Sequence, residues 1–101
     1  MGVVVDAEVA ALPADMRARL TRISAMIEEF GLERIREPHV KHLQGALWEM
    51  RLKGRDGISR ALYVAATGQR VVIVRVFVKK TQKTPGREIA LALNRAKEVL
   101  P

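Results

Sequence analysis

Residues 47–60, LWEMRLKGRDGISR, decide the fold of this chain. Their first half alternates apolar and charged residues with a period of two, which is typical of a strand covered on one face. The apolar members are Trp48, Met50 and Leu52, and the charged members are Glu49, Arg51 and Lys53. Asp56-Gly57 then favours a tight turn, because glycine tolerates positive φ. The stretch therefore predicts a β-hairpin whose exposed face is largely basic.

Two further strands follow from the β-branched and aromatic content of the chain. Residues 58–66 (ISRALYVAA) form the second arm of the hairpin, and residues 71–78 (VVIVRVFV) form the next strand, joined by a tight turn near residues 67–69. An antiparallel meander is the most economical topology. Residues 3–5 are a candidate for a short additional strand, and residues 31–45 are interpreted as a polar connection.

Two amphipathic helices complete the predicted domain. The first has Pro13 at its first position and ends at Gly31, and the last opens at Thr84-Pro85. The predicted core faces are Leu12, Met16, Leu20, Ile23, Ile27 and Phe30 in the first helix, and Ile89, Ala92, Leu93, Ala96 and Leu100 in the last. We therefore expect an α+β fold with N-terminal helices, an antiparallel sheet of three to four strands and a C-terminal helix packed on the sheet.

Composition narrows the classes of protein. A chain of 101 residues with 49% hydrophobic residues fits one globular domain spanning residues 1–101. It contains no cysteine, which excludes disulfides, thiolate nucleophiles and cysteine-ligated metals. We expect neither a metal nor a cofactor. No segment approaches the ~20 apolar residues of a membrane-spanning helix, and the N-terminus has no signal-peptide pattern, so a soluble cytoplasmic protein is expected.

The charge is unevenly distributed. The formal net charge is +7, but residues 1–40 hold seven acidic and five basic residues, so all of the excess lies in the later part of the chain. Four cations surround the expected start of the last helix: Lys79, Lys80, Lys83 and Arg87. A helix N-terminus favours anions over cations. This asymmetry indicates a directed basic surface for a polyanion.

Two arginines lie within strands, where an unpaired guanidinium would be costly to bury. We interpret Arg75 as structural, with a buried stem and a solvated head at a sheet edge. Arg60 differs, because the hairpin places it close to Arg51, Lys53 and Arg55. Glu49 and Asp56 are the only nearby carboxylates in the sequence, so the cluster requires a further anion.

Residues 47–60 and the junction FVKKTQKTP (residues 77–85) resemble the RelE/ParE toxin superfamily of type II toxin–antitoxin systems, specifically its HigB-like, phage-derived branch. The resemblance covers about residues 12–100. It implies a RelE-like fold and a cytoplasmic toxin that arrests growth by cleaving mRNA on the ribosome. It also implies a co-expressed antitoxin, typically a HigA-like helix-turn-helix protein. The alternatives are a ParE-like toxin that inhibits DNA gyrase and a noncatalytic basic nucleic-acid-binding module.

The resemblance also implies roles for individual residues. It makes Arg60 the stabiliser of the transition-state phosphate, with Lys53 and Lys80 as the other catalytic candidates. Lys53 is also a candidate for proton exchange, and Lys79 is the alternative to Lys80. The implied RNA- and phosphate-binding residues are Arg51, Arg55, Lys79, Lys83 and Arg87. The implied reaction is metal-independent attack of a ribose 2′-hydroxyl on the adjacent phosphate. We expect Arg60→Ala to abolish toxicity while leaving folding intact.

One feature departs from the family pattern. Many ribonuclease members have a tyrosine or histidine near the C-terminus for proton transfer, whereas this chain ends KEVLP. Tyr63 is interpreted as a packing residue, and Trp48 as part of the core. His39 and His42 are placed in the loop before the hairpin, from which either could reach the basic cleft. The sequence thus leaves the general acid and base unassigned.

Overall fold

A four-stranded antiparallel sheet, with strands in sequential order, forms the centre of the molecule. The structure is a computed structural model that describes residues 3–31, 40–55, 57–66, 70–78 and 83–99. The elements are α1 (Val3–Ala10), α2 (Ala14–Phe30), β1 (Val40–Gln44), β2 (Leu47–Gly54), β3 (Gly57–Ala66), β4 (Arg70–Val78) and α3 (Gly86–Ala96). The predicted α+β class, with N-terminal helices and a C-terminal helix on an antiparallel sheet, is confirmed.

The β2–β3 hairpin forms as the sequence predicts. Gly54 pairs with Gly57 across the turn, and Gly57 has a φ of 135°, which is strained for any residue with a side chain. Gly54 serves a different purpose. A Cβ atom there would lie 2.8 Å from both Asp15 Oδ2 and Met16 Cγ, so its absence allows the start of α2 to pack against the end of the hairpin.

Helix α2 covers one face of the sheet. The predicted face is buried at Leu12, Met16, Leu20, Ile23 and Ile27, and these residues pack on Met50, Leu52, Ala61 and Tyr63. The prediction is wrong for Phe30, which is 52% exposed in the last turn of the helix. Gly31 ends α2, as predicted, with a φ of 84°.

Helix α3 covers the opposite face of the sheet. Ala92 and Ala96 pack on Leu47, Leu62, Val64 and Val74, with Ile89 and Leu93 at the margin of this second core. The predicted packing of the last helix on the sheet is confirmed for these residues, whereas Leu100 lies outside the described part of the chain. Because both faces are covered, a charged residue on a strand is not necessarily exposed.

Two local predictions are wrong. Residues 3–5 begin helix α1 instead of forming a strand, since a short apolar run does not distinguish the two structures. Residues 40–44, predicted to belong to a polar connection, form strand β1, which pairs with β2 and buries Val40 in the α2 core. Pairing with a neighbouring strand supplies the stabilisation that the polar composition of this segment does not indicate.

Strand β4 contains an irregularity that the sequence pattern does not show. Leu62 pairs with Arg75 but Tyr63 pairs with Ile73, so Val74 is an extra residue in β4. Such a bulge reverses the alternation of side chains beyond it. Arg75 therefore lies on the α3 face with Leu62, while Ile73 packs on the α2 side. Ile73 and Arg75, which an uninterrupted period of two would place on one face, therefore lie on opposite faces of the sheet.

Helices α1 and α2 also contact the free edge of β4. The backbone N–H of Val76 donates to Glu8 Oε1 at 3.0 Å, and the backbone N–H of Val71 donates to Glu28 Oε2 at 2.8 Å. Carboxylates from the two helices thus accept hydrogen bonds that a neighbouring strand would otherwise receive. Among the described residues, no helix is long and apolar enough to cross a membrane.

Candidate functional site

Three cations from the β2–β3 hairpin lie on the α3 face of the sheet. Arg51 and Arg60 are direct partners in the antiparallel register, and Lys53 follows Arg51 by two residues, so all three share one face. Arg60 is buried, Arg51 is half-buried and Lys53 is exposed. We call Arg51, Lys53 and Arg60 the basic face. Its depth therefore increases from the turn toward the centre of the sheet.

Within the described residues, Glu49 is the carboxylate that contacts this face, whereas Asp56 lies outside them. Its Oε2 accepts a hydrogen bond from Arg60 Nη1 at 3.2 Å, and its Oε1 accepts one from the hydroxyl of Thr84. Glu49 is only 2% exposed. The sequence predicted an exposed position, because alternation suggested a sheet covered on one side only. Packing of α3 and the preceding residues on the second side explains the difference.

The ion pair between Glu49 and Arg60 leaves other hydrogen-bond donors of the basic face without a partner among the described residues. The Nε atoms of Arg51 and Arg60 are both buried, and neither has a hydrogen-bond partner within the described residues. Burial lowers the pKa of Arg60, Glu49 raises it in opposition, and the neighbouring Arg51 lowers it further. Arg60 nevertheless stays charged at any ordinary pH. The two guanidinium groups thus keep unsatisfied donors and an excess of positive charge over the one carboxylate paired with them among the described residues.

The start of α3 brings further cations toward this region. Pro85 occupies the N-cap and no side chain caps the helix by a hydrogen bond. Lys83 and Arg87 flank this cap and are exposed, and Thr84 between them is bonded to Glu49. The structure thus brings these two predicted residues to the same side of the sheet as Arg60. Lys79 and Lys80 lie outside the described residues.

Arg55 is exposed in the hairpin turn, where its backbone forms a hydrogen bond. Its N–H donates to Asp15 Oδ2 at 2.7 Å. That bond outweighs burial and lowers the pKa of Asp15. The contact fixes the turn to the start of α2.

Most of the chain matches the model of a known protein family. The model of the family described as phage-derived protein Gp49-like (DUF891) matches residues 7–97, which includes the whole hairpin and all of α3. The chain belongs to the Gp49-like family. This is a RelE/HigB-like toxin family, so the predicted resemblance is confirmed at that level, and the fold is compatible with a RelE-like domain. No curated protein matches the chain.

Membership of the Gp49-like family points to a toxin of a toxin–antitoxin system. Such a toxin has an antitoxin as its partner. These two statements agree with the basic composition of the second half of the chain.

Neither Tyr63 nor His42 reaches the basic face of this Gp49-like chain. Tyr63 is fully buried in the α2 core, as predicted, and burial raises its pKa. His42 lies in β1 instead of the predicted loop, opposite Trp48 on the α2 side of the sheet. Its ring centroid is 5.0 Å from that of Trp48, which is half-buried at the margin of the core. His39 lies outside the described residues.

Arg75 is a structural residue, as interpreted from the sequence, but its head group is not solvated at a sheet edge. Instead of extending to solvent, it forms ion pairs with Glu88 and Glu8, each at 2.7 Å. The hydrogen bond to Glu88 raises the pKa of Arg75, burial opposes this, and Glu8 adds to the increase. Sequence reasoning named Glu49 as a carboxylate near Arg60 but missed its contact with Thr84, and it missed Glu88 and Glu8 as partners of Arg75. The scarcity of carboxylates near Arg60 in the sequence was a signal that Glu49 is used.

Proposed function

We propose that this chain is a ribosome-dependent mRNA endonuclease of the HigB type, the toxin of a type II toxin–antitoxin system that inhibits translation. One observation carries the proposal. Arg51 and Arg60 face each other on the sheet, and within the described residues one carboxylate, Glu49, pairs with Arg60 while both Nε donors have no partner. Such a pair is suited to a phosphodiester, whose oxygens accept several hydrogen bonds.

The proposed reaction requires stabilisation of negative charge. The ribose 2′-oxygen attacks phosphorus, a P–O bond forms, and the bond from phosphorus to the 5′-oxygen breaks. One proton leaves the 2′-hydroxyl and one reaches the leaving oxygen. Charge accumulates on the phosphate oxygens and on the leaving oxygen. Fixed guanidinium groups stabilise that charge without rearranging, and we assign this role to Arg60, with Arg51 holding the phosphate.

The remaining cations are proposed to bind the RNA backbone. Lys53, exposed at the outer end of the basic face, is suited to contact phosphate and stays our candidate for proton exchange from this face. Lys80, or Lys79 in its place, follows β4, and Arg55 lies in the hairpin turn. Lys83 and Arg87 flank the start of α3. Contacts of this kind position a nucleic acid without reading its sequence.

Ribosome dependence is proposed because the basic face is incomplete as a nuclease. Among the described residues, it carries no histidine or tyrosine that could transfer protons. An mRNA held and oriented by the ribosome would require mainly cations from the protein. We further propose that residues 1–101 act as one toxin domain in the cytoplasm, without a metal or cofactor, and that a HigA-like helix-turn-helix antitoxin neutralises it.

The test is primer extension on a reporter mRNA with purified protein, in the presence and absence of translating ribosomes. We expect cuts only with ribosomes. Arg60→Lys keeps a charge beside Glu49 but loses the planar fork, and we expect cleavage to fall about 100-fold. Arg51→Ala should weaken it by about tenfold. Arg19→Ala removes an equal charge from the exposed surface of α2 and should cut like the wild type.

Three results would contradict the proposal. The first is undiminished cleavage by Arg60→Lys. The second is the absence of cuts from a folded protein that still arrests growth. That second result would favour the ParE-like alternative, and inhibition of DNA supercoiling by gyrase would then be measured with the same variants. Binding of RNA without cleavage or growth arrest would instead favour a noncatalytic nucleic-acid-binding module.

A further inference from the structure

We infer that Glu49 is a positioning residue: it fixes the guanidinium of Arg60 and the start of α3 in one arrangement, and so sets the rate of cleavage without touching the RNA. This inference rests on the proposed function for its kinetic consequence. Its structural part stands independently. Three features of Glu49 support it: its place in the sheet, the use of both of its oxygens and the Nε donor of Arg60 that it leaves unfilled.

Burial of the Glu49 carboxylate has a free-energy cost that its partners must offset. A carboxylate that is 2% exposed is stable only if its oxygens are paired. Here both oxygens are used, one by Arg60 Nη1 and the other by the hydroxyl of Thr84. The carboxylate therefore has a fixed orientation, and it transmits that orientation to the two groups that donate to it.

The hydrogen bond to Glu49 orients the guanidinium of Arg60. The guanidinium has five N–H donors in a rigid plane, and Glu49 binds it through Nη1. The Nε donor has no partner within the described residues. Pairing at Nη1 thus restricts rotation of the side chain. The negative charge of Glu49 also offsets the cation, so an incoming phosphate must compete with it.

Glu49 also connects strand β2 to the start of α3. Thr84 immediately precedes the N-cap residue Pro85, and the exposed cations Lys83 and Arg87 lie on either side of the pair. Because Thr84 donates to Glu49, the strand that carries Arg51 and the segment that carries Lys83 are held together through one carboxylate. Loss of that carboxylate would separate two groups of cations that a bound RNA must meet simultaneously.

Glu49→Gln tests this inference, since the amide keeps the shape of the side chain and removes its charge. We expect kcat for cleavage of ribosome-bound mRNA to fall more than about tenfold, because small errors in the placement of a catalytic group are costly. KM should stay equal or decrease by up to about threefold, because a competing negative charge is gone. A residue needed only for stability would change the melting temperature without this separation of kcat from KM.

A second measurement needs no cleavage. The Nε–H resonance of Arg60, assigned by its loss in Arg60→Lys, is followed in ¹H–¹⁵N spectra. We expect its exchange with solvent to accelerate more than about tenfold in Glu49→Gln. Thr84→Val, which removes one donor and keeps the side-chain shape, should accelerate it by a smaller factor. Thr84→Ser keeps the hydroxyl donor, so its Arg60 Nε–H should exchange at the wild-type rate.

Glu88→Gln is the matched control. Glu88 is also a buried carboxylate on the α3 side that binds a strand arginine, but its partner is Arg75. This variant should leave kcat and the Arg60 resonance unchanged. An unchanged Arg60 resonance in both Glu49→Gln and Thr84→Val would overturn the inference. If the wild type cleaves no mRNA, the proposed function fails, and the resonance still decides whether Glu49 positions Arg60.

Discussion

Arg60 and Arg75 are both strand arginines on the α3 face of the sheet, yet their surroundings differ. Arg75 donates from Nε, Nη1 and Nη2 to the carboxylates of Glu88 and Glu8. Arg60 is more deeply buried, with a side chain 7% exposed against 24% for Arg75, but one carboxylate pairs with it and a second arginine lies opposite. Their pKa values are accordingly shifted in opposite directions.

The comparison shows that burial alone does not identify a functional arginine. A structural arginine is expected to have its donors filled by carboxylates of its own chain, as Arg75 does. An arginine intended for an external anion keeps donors available, and the cost of burying it is only partly offset within the chain. By this criterion Arg60, with Arg51 beside it, is the candidate for function.

The largest expected effect is on stability. Arg60→Ala should reduce the free energy of unfolding by about 3–5 kcal/mol, because Glu49 would stay buried without a cationic partner. This revises the expectation that the substitution leaves folding intact. Urea denaturation followed by circular dichroism measures the loss. Arg60→Lys, which keeps the charge, is the control and should lose much less. Equal stability of Arg60→Ala and the wild type would show that the ion pair is unimportant.

A smaller loss is expected at the other arginine. Arg75→Ala should cost about 1–3 kcal/mol, since its partners are partly solvated and Glu8 retains a contact with Arg95. Cleavage per folded molecule should be unchanged. The same urea titration gives the stability, with Arg70→Ala, an exposed residue of the same strand, as a control within about 0.5 kcal/mol of the wild type. A specific loss of cleavage in folded Arg75→Ala would remove the distinction between the two arginines.

The smallest effect concerns pH. Burial alone would raise the pKa of Glu8, but hydrogen bonds from Val76, Arg95 and Arg75 lower it below its ordinary value of 4.5. A carboxyl whose pKa is lowered by folding stabilises the protein above pH 4.5, and this contribution is lost as the pH falls through the folded-state value. Wild type should therefore exceed Glu8→Gln by about 1 kcal/mol at pH 7.

The difference in unfolding free energy between wild type and Glu8→Gln should shrink as the pH of the urea titrations is lowered from 5 to 3. Glu29→Gln changes an exposed carboxylate at the end of α2 and serves as the control. A gap between wild type and Glu8→Gln that widens toward low pH would contradict the role of Glu8 as an ionised acceptor at the edge of β4.

Most of the fold followed from local patterns. The spacing of apolar residues predicted α2 and α3, and the alternation around Asp56-Gly57 predicted the hairpin that pairs Arg51 with Arg60. Strand β1 and helix α1 were missed because their structures depend on what they pack against. The bulge at Val74 was missed for a related reason: a bulge is set by pairing with β3 and changes no local preference of the sequence.

The candidate site was predictable in part. Period two placed Arg51, Lys53 and Arg60 together, and charge counting identified a shortage of carboxylates around them. The burial of Glu49 was not predictable from alternation, since it requires knowing that α3 covers the second face of the sheet. Its contact with Thr84 joins residues separated by 35 positions in the chain, and sequence spacing carries no information about such a contact.

The hydrogen bonds from Val71 and Val76 to Glu28 and Glu8 have a consequence for self-association. The free edge of a sheet is a template on which other chains add strands, and this is a common route to aggregation. Here helical carboxylates occupy two of the positions at which an incoming strand would bind and place negative charge there. Growth of the sheet beyond β4 is thereby disfavoured, which leaves β1 as the edge at which strand addition would begin.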